Sequence, residues 1–216
     1  MRLLLLLLLV SSLLLGSPLS LVLAAASGGH AGAMVDAGGR LLALAAVMKL
    51  DEAARDASGN RDWKDEATRE ALMPLLDGGQ AEELAFGFFG MAADEGVPEA
   101  VFNLAVCLED GTGCPASAED ALVMYKEAAT KGVPQAFLRI AMMHHERGTP
   151  DDLRTALDMA CACLEAGGGK NGAEDELLLF IRNCYDDLGG DDGEGWMWYS
   201  EAPDNYRPIA DKALKK

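Results

Sequence analysis

Two adjacent imidazoles and a carboxylate, His144, His145 and Glu146, are the first side chains whose types suggest chemistry, because both groups are zinc ligands. Neighbours on a helix diverge by about 100 degrees, so the two rings cannot easily converge on one ion, and a packing role is expected instead. Cys161 and Cys163 form a Cys-x-Cys pair with Cys184 further along. A thiolate site would need a second close pair or a histidine at zinc-type spacing, and neither follows, so no metal and no cofactor are expected. In an oxidising compartment Cys107, Cys114, Cys161, Cys163 and Cys184 form at most two bridges, with one thiol left over. The expected bridges are one through Cys184 to the helix over 152–166 and a local one between Cys107 and Cys114.

Asp186, Asp187, Asp191, Asp192 and Glu194 crowd into nine residues but lack the alternating spacing that aims calcium ligands inward, so a solvated acidic loop is expected. Trp196, Trp198 and Tyr199 form the densest aromatic cluster. Part of it should be core, and any exposed tryptophan there is an anchor for a partner. There is no Gly-x-Ser-x-Gly elbow, phosphate-binding glycine loop or His-Glu-x-x-His helix, and no serine stands in a nucleophile's context. Catalytic residues are therefore not assigned, and the chain is read as a non-enzyme. The alternatives kept beside this are a secreted hydrolase or thiol-dependent enzyme using His145 or a free cysteine, and a structural lumenal protein without a specific ligand.

The elements that position these residues repeat with a period near 36. Ala85, Phe89, Ala92, Ala93 and Gly96 are matched by Ala121, Tyr125, Ala128, Ala129 and Gly132, and the run from Gly96 to Ala100 is echoed by the run from Gly132 to Ala136. Apolar residues at helical spacing followed by glycine stops predict helix pairs over 66–76 with 81–94, 99–110 with 117–131, 135–147 with 152–166, and 174–187 with 193–202. Small alanines let neighbouring helices approach closely while Phe89, Leu104, Tyr125 and Ile140 fill the space between. One pair cannot bury its apolar face alone, so the pairs are expected to stack as an all-α solenoid.

The order Ala100, Leu104, Ala105, Leu108, Gly111, Gly113, then Asp120, Ala121, Tyr125, Ala128, Ala129, Gly132 and Ala136, resembles the Sel-1-like repeats, relatives of the tetratricopeptide repeats. The likeness is strong over 96–136, good over 81–167 and weak beyond. It implies a right-handed superhelix of antiparallel helix pairs whose concave face binds other proteins, as an adaptor in secretory-pathway quality control or in signalling. Pro74, Leu178 and Gly195 depart from the pattern in the terminal units, where capping repeats are atypical. By the repeat offset, Glu99, Asn103, Gln135 and Arg139 on the first helices are the expected partner-binding residues.

Residues 1–26 open with Met1 and Arg2, run apolar and end on Ala24, Ala25 and Ala26, the layout of a signal peptide cleaved after Ala26. The run is also long enough for an uncleaved anchor, and a bipartite plastid leader is a further alternative. The expected organisation is the leader, a Gly/Ala-rich mobile segment and N-terminal helix over 27–60, a repeat domain over 61–202 and a tail over 203–216. Against 18 basic residues stand 35 acidic ones, with no basic face, which argues against nucleic acid and against anionic membranes. The expected function is a protein-binding scaffold in the endoplasmic reticulum lumen or the extracellular space.

Overall fold

A computed structural model of the protein describes residues 28–42, 78–169 and 173–215. Among the described residues every regular element is helical, and the all-α expectation holds. The chain divides into two compact units, Met1–Ala121 and Leu122–Lys216. In the first lie α1 over 31–42, α2 at Gly78–Asp94 and α3 at Pro98–Asp110. The next helix, α4 at Ala118–Thr130, begins in the first unit and ends in the second. The second unit continues with α5 at Pro134–Arg147, α6 at Pro150–Glu165, α7 at Glu174–Asp187, α8 at Glu194–Glu201 and α9 at Arg207–Leu214.

From α3 to α6 the helix starts use two local devices, and α6 combines them with Pro150 in its first turn. Before α3 and α5, Val97 and Val133 are extended and offer no side-chain cap, and Pro98 and Pro134 open the helix where a missing N–H costs nothing. Before α4 and α6, Ser117 and Thr149 accept a hydrogen bond from the backbone N–H three residues on, and their hydroxyls donate to the carboxylates of Asp120 (2.7 Å) and Asp152 (2.6 Å). Helix ends recur as well. After α2, Gly96 at φ 83° donates to Ala93 while Val97 donates to Ala92, and after α4, Gly132 at φ 89° and Val133 repeat both bonds to Ala129 and Ala128. Gly167 at φ 87° and Gly168 do the same after α6, to Leu164 and Cys163. This paired closure satisfies carbonyls that a helix end leaves without partners, and it needs a left-handed residue, hence glycine.

The periodicity also sets burial. Ala85, Ala92, Ala100 and Ala105, and their counterparts Ala121, Ala128, Ala136 and Ala141, are all completely buried, as is the Phe89 and Tyr125 pair to within 1%. The core of the first unit joins Met34, Ala37 and Leu41 of α1 to Phe88 and Phe89 of α2 and to Ala100 and Cys107 of α3. The core of the second runs from Ala141 through Leu153, Leu157, Cys161, Leu177 and Ile181 to Trp198, Ala210 and Ala213.

Two expectations are corrected. The segment read as mobile contains α1, a packed helix, because its small residues serve close approach: a Cβ at Gly38 would fall 2.5 Å from the Phe89 ring. The tail over 203–216 contains α9, whose Ile209, Ala210, Ala213 and Leu214 face the second core at helical spacing. The leader, the predicted helix over 66–76 with Pro74, and most of the predicted N-terminal helix fall outside the described residues. No described helix is long and apolar enough to cross a membrane.

Candidate partner-binding surfaces

Glu99 and Asn103 lie one turn apart on α3, with Glu99 exposed and Asn103 half-buried. Gln135 and Arg139 are related in the same way on α5, where Gln135 is exposed. Each pair belongs to its own unit. Arg139 is committed inside its unit: its Nε donates to the Tyr125 hydroxyl at 3.2 Å, and the guanidinium lies 5.9 Å from that ring's centroid. It therefore braces α4 against α5 as well as reaching the surface, a cation–ring contact worth about 0.5–1 kcal/mol at such half-exposed sites.

The two histidines diverge as their helical spacing predicts. His144 Nδ1 lies 2.7 Å from Asp152 Oδ1 on α6, and His145 Nε2 lies 2.9 Å from Asp187 at the end of α7, with its ring edge-on to Phe180. Asp152 joins three groups of the α5–α6 hairpin, namely the Thr149 hydroxyl, His144 and, at 3.8 Å, Arg147. The Thr149 hydroxyl first, and then His144, hold its carboxyl below the ordinary value of 3.8. Among the described residues no three His, Cys, Asp or Glu side chains converge as a metal ion would require.

All five cysteines are free thiols, so the expected bridges through Cys184 and between Cys107 and Cys114 are not formed in this structure. Cys114 Sγ points instead at the Cys107 carbonyl oxygen, 3.4 Å away. Cys107, Cys161, Cys163 and Cys184 are essentially inaccessible core residues. Burial pushes the thiols of Cys107, Cys161 and Cys184 up to about 12 and raises those of Cys163 and Cys114. That environment is the reverse of one that activates a nucleophilic thiolate.

The acidic loop disperses its charges. Asp186 pairs with Arg182, Asp187 faces His145, Asp191 accepts from the Tyr185 hydroxyl at 2.8 Å, and Glu194 pairs with Arg154 at 3.2 Å. The aromatic cluster splits between core and surface, although the buried member is Trp198 and not Tyr199, which the repeat offset aligns with Tyr125. Trp198 is buried, its Nε1 donating to Asp158 at 2.9 Å, whereas Trp196 is 53% exposed and stacks on Tyr199 with ring centroids 5.5 Å apart. Tyr199 in turn donates its hydroxyl to Asp211 of α9 at 2.5 Å. That last bond, then burial, raises the Tyr199 phenol, and burial followed by the Asp191 bond pushes Tyr185 up to about 12. The sequence singled out the tryptophans but missed Tyr185 and Asp211, whose bonds to Asp191 and Tyr199 each join separate elements. It also missed Ser117 and Thr149, for which the Ser/Thr-x-x-Asp spacing was an available signal.

No protein-family model matches the chain. A stretch of 60 residues is 37% identical to part of the protein named chitin synthase regulatory factor 3 of Schizosaccharomyces pombe (strain 972 / ATCC 24843). That match covers 28% of this chain and spans 6% of the length of the curated relative.

Proposed function

We propose that the chain is a binding scaffold of Sel-1-like helix pairs, stacked as a right-handed solenoid, that acts in the lumen of the secretory pathway or outside the cell and works by holding a protein partner rather than by catalysis. The observation that carries this reading is the recurrence of one helix-to-helix device. Gly96 with Val97 and Gly132 with Val133 make the same pair of backbone bonds 36 residues apart, and fully buried alanines recur at the same offset on both sides of them. A unit repeated at that level of backbone detail is how solenoids present a periodic surface, and such surfaces bind extended partners. The partial likeness to a protein named as a regulatory factor supports a role exerted on another protein. Deep burial of Cys107, Cys161, Cys163 and Cys184, with their thiols raised, argues against these four as enzymatic nucleophiles.

The residues on α3 of the first unit and on α5 of the second are the first to test. The chain, expressed with its own leader and a C-terminal proximity-labelling tag, should mark a reproducible set of lumenal or extracellular proteins. Combined Glu99→Ala, Asn103→Ala and Gln135→Ala should reduce that labelling severalfold with the far-ultraviolet circular dichroism unchanged; Arg139 is kept because it braces Tyr125. Undiminished labelling overturns the role of these residues, and cytosolic neighbours overturn the compartment.

A further inference from the structure

At the C-terminal end of the second unit an open cavity of about 320 Å³ lies between α7, α8 and α9, lined by Tyr185, Asp191, Trp196, Tyr199, Asp211, Leu214 and Lys215. Three of these seven are aromatic, two are carboxylates, and Leu214 adds an apolar edge. The aromatic side is preorganised: Trp196 and Tyr199 stack nearly parallel, with an interplanar angle of 27°, and Tyr185 is held by its hydrogen bond to Asp191. Each carboxylate already accepts one phenol O–H, Asp191 from Tyr185 and Asp211 from Tyr199, which fixes its direction and leaves further lone pairs to accept from a ligand. Both phenols keep their protons well above neutral pH, so they remain donors to these carboxylates.

We propose that this cavity receives a cationic side chain, an arginine or lysine, from a basic segment of the protein partner. Ring faces attract a cation through their quadrupole, and a guanidinium laid on them meets carboxylate oxygens at its edge. A shallow, open cavity of this size suits one side chain rather than a folded surface. The net charge of −17 favours the same class of partner during encounter. Lys215 is the cation that the chain itself sets against this wall, and the incoming side chain takes its place. The inference rests on the scaffold reading and names the partner's chemistry at one site, well along the chain from α3 and α5.

The test uses the full chain with 15N-labelled tryptophan and three capped pentapeptides, with arginine, lysine or citrulline between paired glycines. The arginine and lysine peptides should shift the Trp196 indole N–H resonance saturably, and neutral citrulline, which matches arginine in shape, should bind at least tenfold more weakly. Asp191→Asn with Asp211→Asn, which keeps acceptors for both phenols, should weaken arginine binding at least tenfold, and Lys215→Ala should strengthen it. Equal binding of citrulline, undiminished binding to the double variant, or no shift with any peptide overturns the proposal. Weaker binding to Lys215→Ala does so too, since the lysine would then help to hold the peptide rather than occupy its place. None of these outcomes touches the labelling experiment on α3 and α5, so the two readings fail separately.

Discussion

At the scale of single residues, Asp152 shows how much one carboxylate organises. It takes a hydroxyl from its own helix start and an imidazole from the preceding helix, and both favour its charged form. A carboxyl held below its ordinary 3.8 adds stability that is fully present above that pH and is lost as pH falls through the depressed value. Thr149→Val removes the larger cause and leaves His144. The variant should therefore be less stable than the parent near neutral pH, and its stability should fall less steeply below pH 3.8, as urea titrations across that range would register. Equal slopes for the two proteins would show that the Thr149 bond does not set the titration. Arg139 is the opposite case: the repeat offset placed it on an outward face, but its bond to Tyr125, fourteen residues back, depends on how α4 meets α5.

At the scale of elements, the glycines that close helices separate two physical roles. Gly96 and Gly132 have left-handed backbones, at φ 83° and 89°, with open space where a Cβ would stand. Alanine at either should cost only the conformational penalty, about 1–2 kcal/mol. Gly113, at φ 72°, would place its Cβ 2.2 Å from the Glu82 carbonyl oxygen, so alanine there must also push α2 away and should destabilise distinctly more. Chemical denaturation of the three variants checks the order, and equal losses would mean that the approach to Glu82 relaxes freely. This punctuation is why the helices from α2 to α8 were legible: each predicted segment ends within a few residues of the structure's boundaries, because Gly-Val-Pro and the glycine stops act locally. The same residues misled at α1, where Gly and Ala suggest a loose chain. Gly38 is instead where α1 lies against Phe89, a contact that exists only once α2 is beside it. The aromatic cavity was legible only in part, since Trp196 and Tyr199 are neighbours along one helix whereas Asp211 arrives from α9.

At the scale of the whole molecule, each unit has its own core of small alanines and a few large apolar groups, and the cysteines serve in those cores as small apolar residues. Alkylation of the native protein near neutral pH, followed by mass spectrometry, should modify half-buried Cys114 first and leave Cys107, Cys161, Cys163 and Cys184 unmodified until denaturant is added. Rapid native labelling of any of those four would contradict their burial. The acidic surplus belongs to the same scale: it is spread along the chain rather than gathered at one end, so encounter with a cationic partner should slow as salt is raised. Burial of four thiols also turns redox chemistry into a matter of timing. Before the helices dock, every sulfur is open to exchange with an oxidised disulfide. After docking, the cores themselves shut that reaction off. A compartment that oxidises thiols would therefore compete with folding for each newly made chain, and the order of docking and oxidation would decide which sulfurs stay free.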